Sequence, residues 1–214
     1  MTRGSVSPGR RALLAGLTAL ACAVATQAQA EAQAAPAPEA RTPDVMSLGN
    51  TRAPVTVIEY ASVGCPHCAV WANQVFPDFR GKFVDTGQVR FEFHEMLTGN
   101  PTLAAAGFLT ARCAGPDRYF QVVDDVFAAQ DDIGREGIEA LERIAERAGL
   151  TRDRFAACLQ DHAALAALSE RTQADAKAHG ITGTPTFLVG DERLDGEQTL
   201  DALDAAITRA RAKH

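Results

Sequence analysis

Cys65-Pro66-His67-Cys68 constrains this chain more than any other stretch. It follows a β-type run, Val55-Thr56-Val57-Ile58-Glu59-Tyr60, and precedes a helical stretch. That order places the first cysteine where a strand hands over to a helix. The unpaired N–H groups of a first helical turn, and the positive end of the helix dipole, favour negative charge there. A thiol so placed can fall from a pKa of about 8.5 to roughly 3.5–7.5, and the thiolate is the reactive form of cysteine. The pair therefore reads as a redox-active dithiol. A purely structural staple is the plain alternative, but a bridge closing so short a loop removes little chain entropy.

The N-terminal stretch bears on where such chemistry takes place. Arg3, Arg10 and Arg11 precede an apolar run from Ala12 to about Ala25, and Ala28-Gln29-Ala30 fits a small-residue cleavage site. This predicts a secretory signal peptide over residues 1–30. The run is short of the roughly 20 residues a membrane-spanning helix needs, so the chain is not expected to span a membrane after cleavage. Arg10-Arg11 raises twin-arginine export, but no Phe-Leu follows, which favours the general secretory route. Cys22 hints at a lipoprotein, although Ala19-Leu20-Ala21 fits a lipidation box poorly. Residues 31–47, rich in Ala, Pro, Glu and Gln at their start, read as a disordered leader.

Cleavage would remove three positive charges and take the formal net charge from −6 to −9. An acidic mature chain argues against nucleic-acid binding as its task. Its length suits one domain with a real core. Export permits disulfides. Four cysteines remain, Cys65, Cys68, Cys113 and Cys158, and four allow three pairings. The local C-x-x-C makes Cys65–Cys68 with Cys113–Cys158 the natural choice. Two separate buried cysteines, acting as small hydrophobes, remain the alternative for Cys113 and Cys158.

Periodicity supplies the elements. Pro54 to Ser62 reads as a strand, with Val55, Val57 and Glu59 on one face and Thr56, Ile58 and Tyr60 on the other. A helix begins near Pro66, whose fixed φ suits a first turn, with Val70, Trp71, Val75, Phe76 and Phe79 as its apolar face. Pro77 should kink or restart it. Val89, Phe91 and Phe93 alternate with Arg90, Glu92 and His94 as a second strand. From Gly99 to His179 the texture is helical. Ile138, Leu141, Ile144, Ala145 and Ala148 share a face, Gly149 is a C-cap candidate, and Thr151 is an N-cap. Strand character returns at Thr186-Phe187-Leu188-Val189, with Glu192-Arg193-Leu194 as a short partner and residues 198–212 as a closing helix.

The order of strand, C-P-H-C, helical block, Gly183-Thr184-Pro185-Thr186-Phe187, paired strands and final helix resembles the DsbA-like thiol–disulfide oxidoreductases. The likeness covers roughly residues 48–212. It implies an α/β, thioredoxin-like fold with a helical domain inserted between its halves. The halves would be 48–98 and 180–214, and the insertion 99–179. The resemblance makes Cys65 the attacking sulfur, exposed at the helix start, with Cys68 more buried. Pro66 and His67 lie between them, and His67 would stabilise the thiolate. It makes Pro185 a cis-proline whose loop faces the C-x-x-C and offers the backbone of Thr184 to substrate. Strict oxidases often carry Val before that proline, and Thr184 departs from this. Glu59 stands where the family keeps a buried acid that relays a proton to Cys68, and burial should raise its pKa. Some members have a second disulfide in the helical domain, which favours a Cys113–Cys158 bridge.

These residues together read as a periplasmic dithiol oxidase that gives its Cys65–Cys68 disulfide to unfolded exported proteins with free cysteines. A mixed disulfide would form on Cys65, and a membrane quinone-linked protein of the DsbB kind would reoxidise the pair. The alternatives are an isomerase or reductase using the same site, or a non-enzymatic binding or chaperone module with an inert bridge. The short segment between signal and first strand leaves little room for the dimerisation domain that dimeric isomerases usually carry. No cofactor is expected: there is no phosphate loop or nucleotide fingerprint. No metal site is expected either, since zinc held by four cysteines would normally use two C-x-x-C pairs.

Overall fold

A computed structural model of the chain describes residues 44–213. The signal peptide, the twin-arginine and Cys22 readings, and the leader up to residue 43 lie outside the described residues. The leader does not extend to residue 47 as the composition suggests: β1 (Met46–Leu48) is a strand paired antiparallel to β3 (Val89–Glu95). Its physical reason is Met46, which is buried beside Phe93 across the pair.

The sheet has the order β1-β3-β2-β4-β5 among the described residues. β2 (Val55–Ala61) is central, parallel to β3 and antiparallel to β4 (Thr186–Val189), and β4 turns directly into β5 (Glu192–Asp195). Alternation in β2 does what the sequence requires. Val57 and Glu59 point to the main core, while Tyr60 packs with Met96 and Ile181 on the opposite side.

Between β2 and β3 run α1 (Pro66–Gln74) and α2 (Phe76–Phe79), then a single π-helical turn over Arg80–Val84. Pro77 starts the second helix rather than kinking the first, because a residue without an N–H is harmless in a first turn. Trp71 anchors α1 on the sheet, its ring 4.7 Å from that of Phe187 and 5.5 Å from that of Phe76. Such aromatic pairs add about 0.5–1.5 kcal/mol each beyond their burial. Val70, read as part of the apolar face, points away from it and is 38% exposed. It lies about 100° around the helix from Trp71.

Six helices separate β3 from β4: α3 (Pro101–Cys113), α4 (Tyr119–Ala128), α5 (Gln130–Glu136), α6 (Ile138–Arg147), α7 (Arg152–Leu159) and α8 (His162–His179). Asn100, Thr151 and Asp161 cap α3, α7 and α8 by accepting from the N–H three residues on. Gly149 follows α6 at φ 88°, as its C-cap reading requires. Ile138 departs from its predicted inward position and is 48% exposed, because it opens α6 beyond the packed turn formed by Leu141, Ile144 and Ala145. These helices share one continuous apolar core with the sheet. A buried carboxylate reinforces the joint. Glu95, at the end of β3, accepts from Arg112 of α3, Tyr119 of α4 and Arg171 of α8. A buried charge is tolerated when paired and bonded on all sides in this way. Finally α9 (Leu200–Arg211), capped by Thr199, packs on β2 and β4.

Candidate active site

Cys65 sits just past the C-terminal end of the central strand, the position at which parallel α/β sheets open a binding crevice. It occupies the N-cap of α1 with extended backbone (φ −101°, ψ 121°), and Pro66 begins the first turn. The N–H groups of His67 and Cys68, which have no intrahelical partner there, therefore point at its sulfur.

Two other stretches close on this corner. The Thr184–Pro185 peptide is cis, and the thiol of Cys65 lies 3.4 Å from the carbonyl oxygen of Thr184 across 119 positions of sequence. The Thr98 hydroxyl is 2.6 Å from that of Thr184, and the Thr98 carbonyl accepts from Ser62 Oγ at 2.9 Å. Behind them Gly64 and Gly99 pack backbone to backbone. A Cβ on Gly64 would collide with the Asn100 carbonyl, and one on Gly99 with that of Gly64. Gly99 also holds φ 70°, which β-carbon-bearing residues rarely adopt. From α5, the Gln130 amide donates to the carbonyls of Val63 (2.7 Å) and Cys65 (3.1 Å). The insertion thus buttresses the turn that carries the cysteine.

Both cysteines are free thiols in this structure. The resemblance implies an exposed Cys65, but it keeps only 6% exposure, because the Thr184–Pro185 loop and the 98–100 segment cover it. Cys68 is fully buried and accepts a long contact from the Ser62 N–H at 3.5 Å. The surface over the pair is made by Pro66, His67 and Val70.

The two sulfurs differ sharply in acidity. The thiol of Cys68, helped by Thr184 and the N–H groups of Cys68 and His67, stabilises the Cys65 thiolate and brings its pKa down from 9.0 to about 5. Burial and the contact to the Thr184 carbonyl pull the other way, since both favour the neutral thiol. The donors prevail because they are several and charge-assisted bonds are stronger than neutral ones. For Cys68 burial dominates and raises the pKa, followed by its bond to Cys65 and the Glu59 charge. One sulfur is built to be a thiolate and the other a thiol.

His67 is exposed, and its Nδ1 lies 2.6 Å from Glu197 Oε1, in the loop after β5. That bond, with the charge of Glu197 and that of Cys65, raises the pKa of His67. Glu59 lies beneath the pair, 2% exposed, and Oε1 has no protein partner. Burial first, then the charge of Asp124, holds its pKa well above the usual carboxylate value. Cys113 and Cys158 lie elsewhere, joined as a disulfide between α3 and α7 with a Cα–Cα distance of 6.2 Å. Thr98, Ser62, Gln130, Glu197 and Asp124 belong to this site, yet no local pattern in the sequence marks them. Among the described residues no cluster of three or more His, Cys, Asp or Glu could hold a metal ion.

The acidity of Cys65 has a sign that can be checked. Its pKa is lower in the folded dithiol protein than in the unfolded chain. It therefore contributes stability that is full above about 9 and is lost as the pH falls through about 5. The disulfide form has no thiol to titrate there. The reduced protein should thus gain denaturant resistance over the oxidised protein as pH rises from about 5 to about 9. Iodoacetamide labelling of Cys65 should show its midpoint near pH 5. A midpoint above 8 would contradict this account.

Comparison with known proteins places this geometry. The thioredoxin family model matches residues 41–209. A protein-disulfide oxidoreductase of Rickettsia bellii is 30% identical over 168 residues, covering 77% of this chain and 64% of that relative. The chain thus spans less than two thirds of that relative's length. The crystal structure of Wolbachia pipientis alpha-DsbA1 aligns with a TM-score of 0.73 at 25% identity, covering 80% of this chain and 92% of that one. BdbD from Bacillus subtilis, in its oxidised form, aligns with a TM-score of 0.67 at 24% identity over 78% and 92% of the two chains, a likeness of fold. With four-fifths of its length inside the family match, and with the helical block between its third and fourth strands, this chain belongs to the thioredoxin family and is a DsbA-like member of it.

Proposed function

We propose that this protein is a thiol:disulfide oxidoreductase that works as an oxidase. It would donate a Cys65–Cys68 disulfide to exported proteins that carry free cysteines. The observation that carries this reading is the placement of Cys65 at the N-cap of α1 with Cys68 wholly buried behind it, which favours a thiolate at the first and a thiol at the second. Stabilising one thiolate stabilises the dithiol form, so the disulfide gives up its bond readily.

The chemistry follows from the geometry. A substrate thiolate attacks Cys65 Sγ, the more accessible sulfur, and forms a mixed disulfide. The Sγ–Sγ bond breaks and Cys68 leaves as a thiolate. Its raised pKa means that it takes a proton at once, and Glu59, held neutral by burial, is the acid beneath it. A second substrate thiolate then attacks the substrate sulfur. Cys65 leaves as the stabilised thiolate, the best leaving group on this surface. Glu197 raises the pKa of His67, which when protonated adds positive charge beside it.

Substrate would lie along the Thr184–Pro185 loop. A cleft lined by Leu97, Thr98, Ile181, Thr182 and Gly183 leads up to that loop and has room for a side chain. Export on a signal peptide over residues 1–30, as their sequence suggests, would put the reaction in the periplasm. Reoxidation falls to a membrane quinone-linked protein of the DsbB kind, which takes the two electrons of the dithiol. Among the described residues no helix is long and apolar enough to cross a membrane.

Equilibration of the Cys65–Cys68 pair with glutathione, with Cys113 and Cys158 intact, tests this. A potential near the oxidising end of the range, about −120 mV, is expected. A value near about −270 mV would make the protein a reductase or isomerase working through the same residues.

A further inference from the structure

We propose that Asp124, contributed by α4 of the insertion, is the outer station of the proton path that serves Cys68 through Glu59. This deepens the reading of Cys65–Cys68 as the exchanging pair and rests on it.

Cys68 and Glu59 are both sealed from solvent, so a proton delivered to the Cys68 thiolate has to be replaced from outside. Around Glu59 the wall is almost wholly apolar, built from Trp71, Phe76, Phe93, Val123 and Phe127. Besides the unpartnered indole N–H of Trp71, one ionisable residue interrupts it. Asp124 lines the same small cavity as Glu59. That cavity offers about 10 Å³ to the centre of a water, close to the roughly 10–15 Å³ that one water needs. Glu59 Oε1, which has no protein partner, is free to bond a water held there.

Asp124 also reaches outward. It lines two surface clefts of about 450 Å³ and 580 Å³, together with Asp125, Arg80 and Asp117. No other titratable residue is common to the inner cavity and either cleft. A proton leaving bulk water at Asp124 therefore needs one bridging water to arrive at Glu59.

The charges facing these groups are few. Glu59 faces Cys68 from α1 and Asp124 from α4. Asp124 faces Arg80 from the π turn, Asp125 on its own helix and Glu59 from β2. Burial, reinforced by Asp125 and opposed by Arg80, raises the pKa of Asp124 to about 6, where a group both gains and loses protons near neutrality.

Substrate thiolate and the Cys65–Cys68 disulfide become a Cys65 mixed disulfide and a Cys68 thiolate. The Glu59 carboxyl gives its proton to Cys68 and becomes a carboxylate. Protonated Asp124 restores the Glu59 proton through the bridging water, and solvent restores that of Asp124. Reoxidation runs the proton outward along the same groups as Cys68 attacks the mixed disulfide.

The test uses stopped-flow kinetics of full-length reduced protein with glutathione disulfide, in which attack by the Cys65 thiolate on glutathione disulfide is one step and attack by Cys68 on the resulting Cys65–glutathione mixed disulfide is the next. Asp124→Asn keeps the shape and removes the titration. It should slow the Cys68 step at least about ten-fold, short of the roughly 10²–10⁴-fold of a group in direct contact. The slowed rate should rise with the concentration of a small carboxylate buffer such as acetate, which takes the Cys68 proton, and Asp124→Glu should restore it. The midpoint of Cys65 labelling should not move. A D124N Cys68 step at the wild-type rate, or one slowed without buffer rescue and alongside the Cys65 step, would overturn the proposal. Wild-type protein provides a measurement free of any folding defect: its Cys68 step should slow in heavy water more than its Cys65 step, and equal slowing would also overturn the proposal. Absence of any exchange by wild-type protein would instead remove the proposed function.

Discussion

Replacing Cys65 with serine should leave no measurable disulfide transfer, whereas in Cys68→Ser the Cys65 thiolate should attack a disulfide of a partner, expel the partner's other sulfur as a thiolate and accumulate as a mixed disulfide. The asymmetry follows from position. Cys65 Sγ is the sulfur next to the Thr184 carbonyl and the exposed Pro66–His67 surface, and it is the one stabilised as a thiolate. Serine cannot replace it, since an alkoxide is far too basic to form at neutral pH and makes no disulfide. Cys68 is wholly buried behind it. With serine there, a partner held on Cys65 loses the internal thiol that would release it. The check is non-reducing electrophoresis of tagged protein from exported extracts, followed by mass spectrometry of the adducts. Adducts on Cys65 in the Cys68→Ser variant, and none in Cys65→Ser, are expected. Equal adduct yields from both variants would show that the assignment of the two sulfurs is wrong.

The second large effect concerns stability. Changing both Cys113 and Cys158 to serine should cost about 4 kcal/mol by the loop-entropy estimate for a bridge spanning 45 positions. The midpoint of thermal unfolding should drop by roughly 8–16 °C in a domain of this size. The bridge ties the end of α3 to α7 and encloses α4, α5 and α6, the helices that bring Asp124 and Gln130 to the site. The double variant avoids leaving one lone thiol in the site of the pair. Calorimetry of the variant against wild type decides the matter, and a loss below about 1 kcal/mol would show that packing alone orders the insertion. The Cys65–Cys68 pair should be kept in one redox state in both samples, since its own state also alters stability.

Much of the redox corner was legible because it is local. The alternation of residues 55–60 specifies a strand with Glu59 turned inward, and Pro66 specifies a helix start. The donors from His67 and Cys68 to Cys65 then follow within four residues. The family pattern extended this to Pro185 and to the helical block. Helical spacing marks a shared face and does not by itself make that face a buried one. Val70 and Ile138 keep helical spacing with their apolar neighbours, but each lies where the packing around it stays open to solvent. The strand Met46–Leu48 was hidden for the converse reason: three residues carry too little period to be seen, and their pairing with β3 makes them a strand.

The rest of the site depends on chain closure. Glu197 meets His67 across 130 positions, Thr98 meets Thr184 across 86, and Gln130 reaches back 65 to Cys65. Asp124 shares a cavity with Glu59 only because α4 lies against α1. By itself, then, the sequence determined the paired cysteines, the helix start between them and the inward acid below, since backbone direction and period decide all three within a few residues. Which groups donate to the thiolate from afar, how far Cys65 is covered, and where a proton enters were decided by tertiary structure. Those depend on distances between segments remote in the chain, and no local pattern of residues encodes such distances.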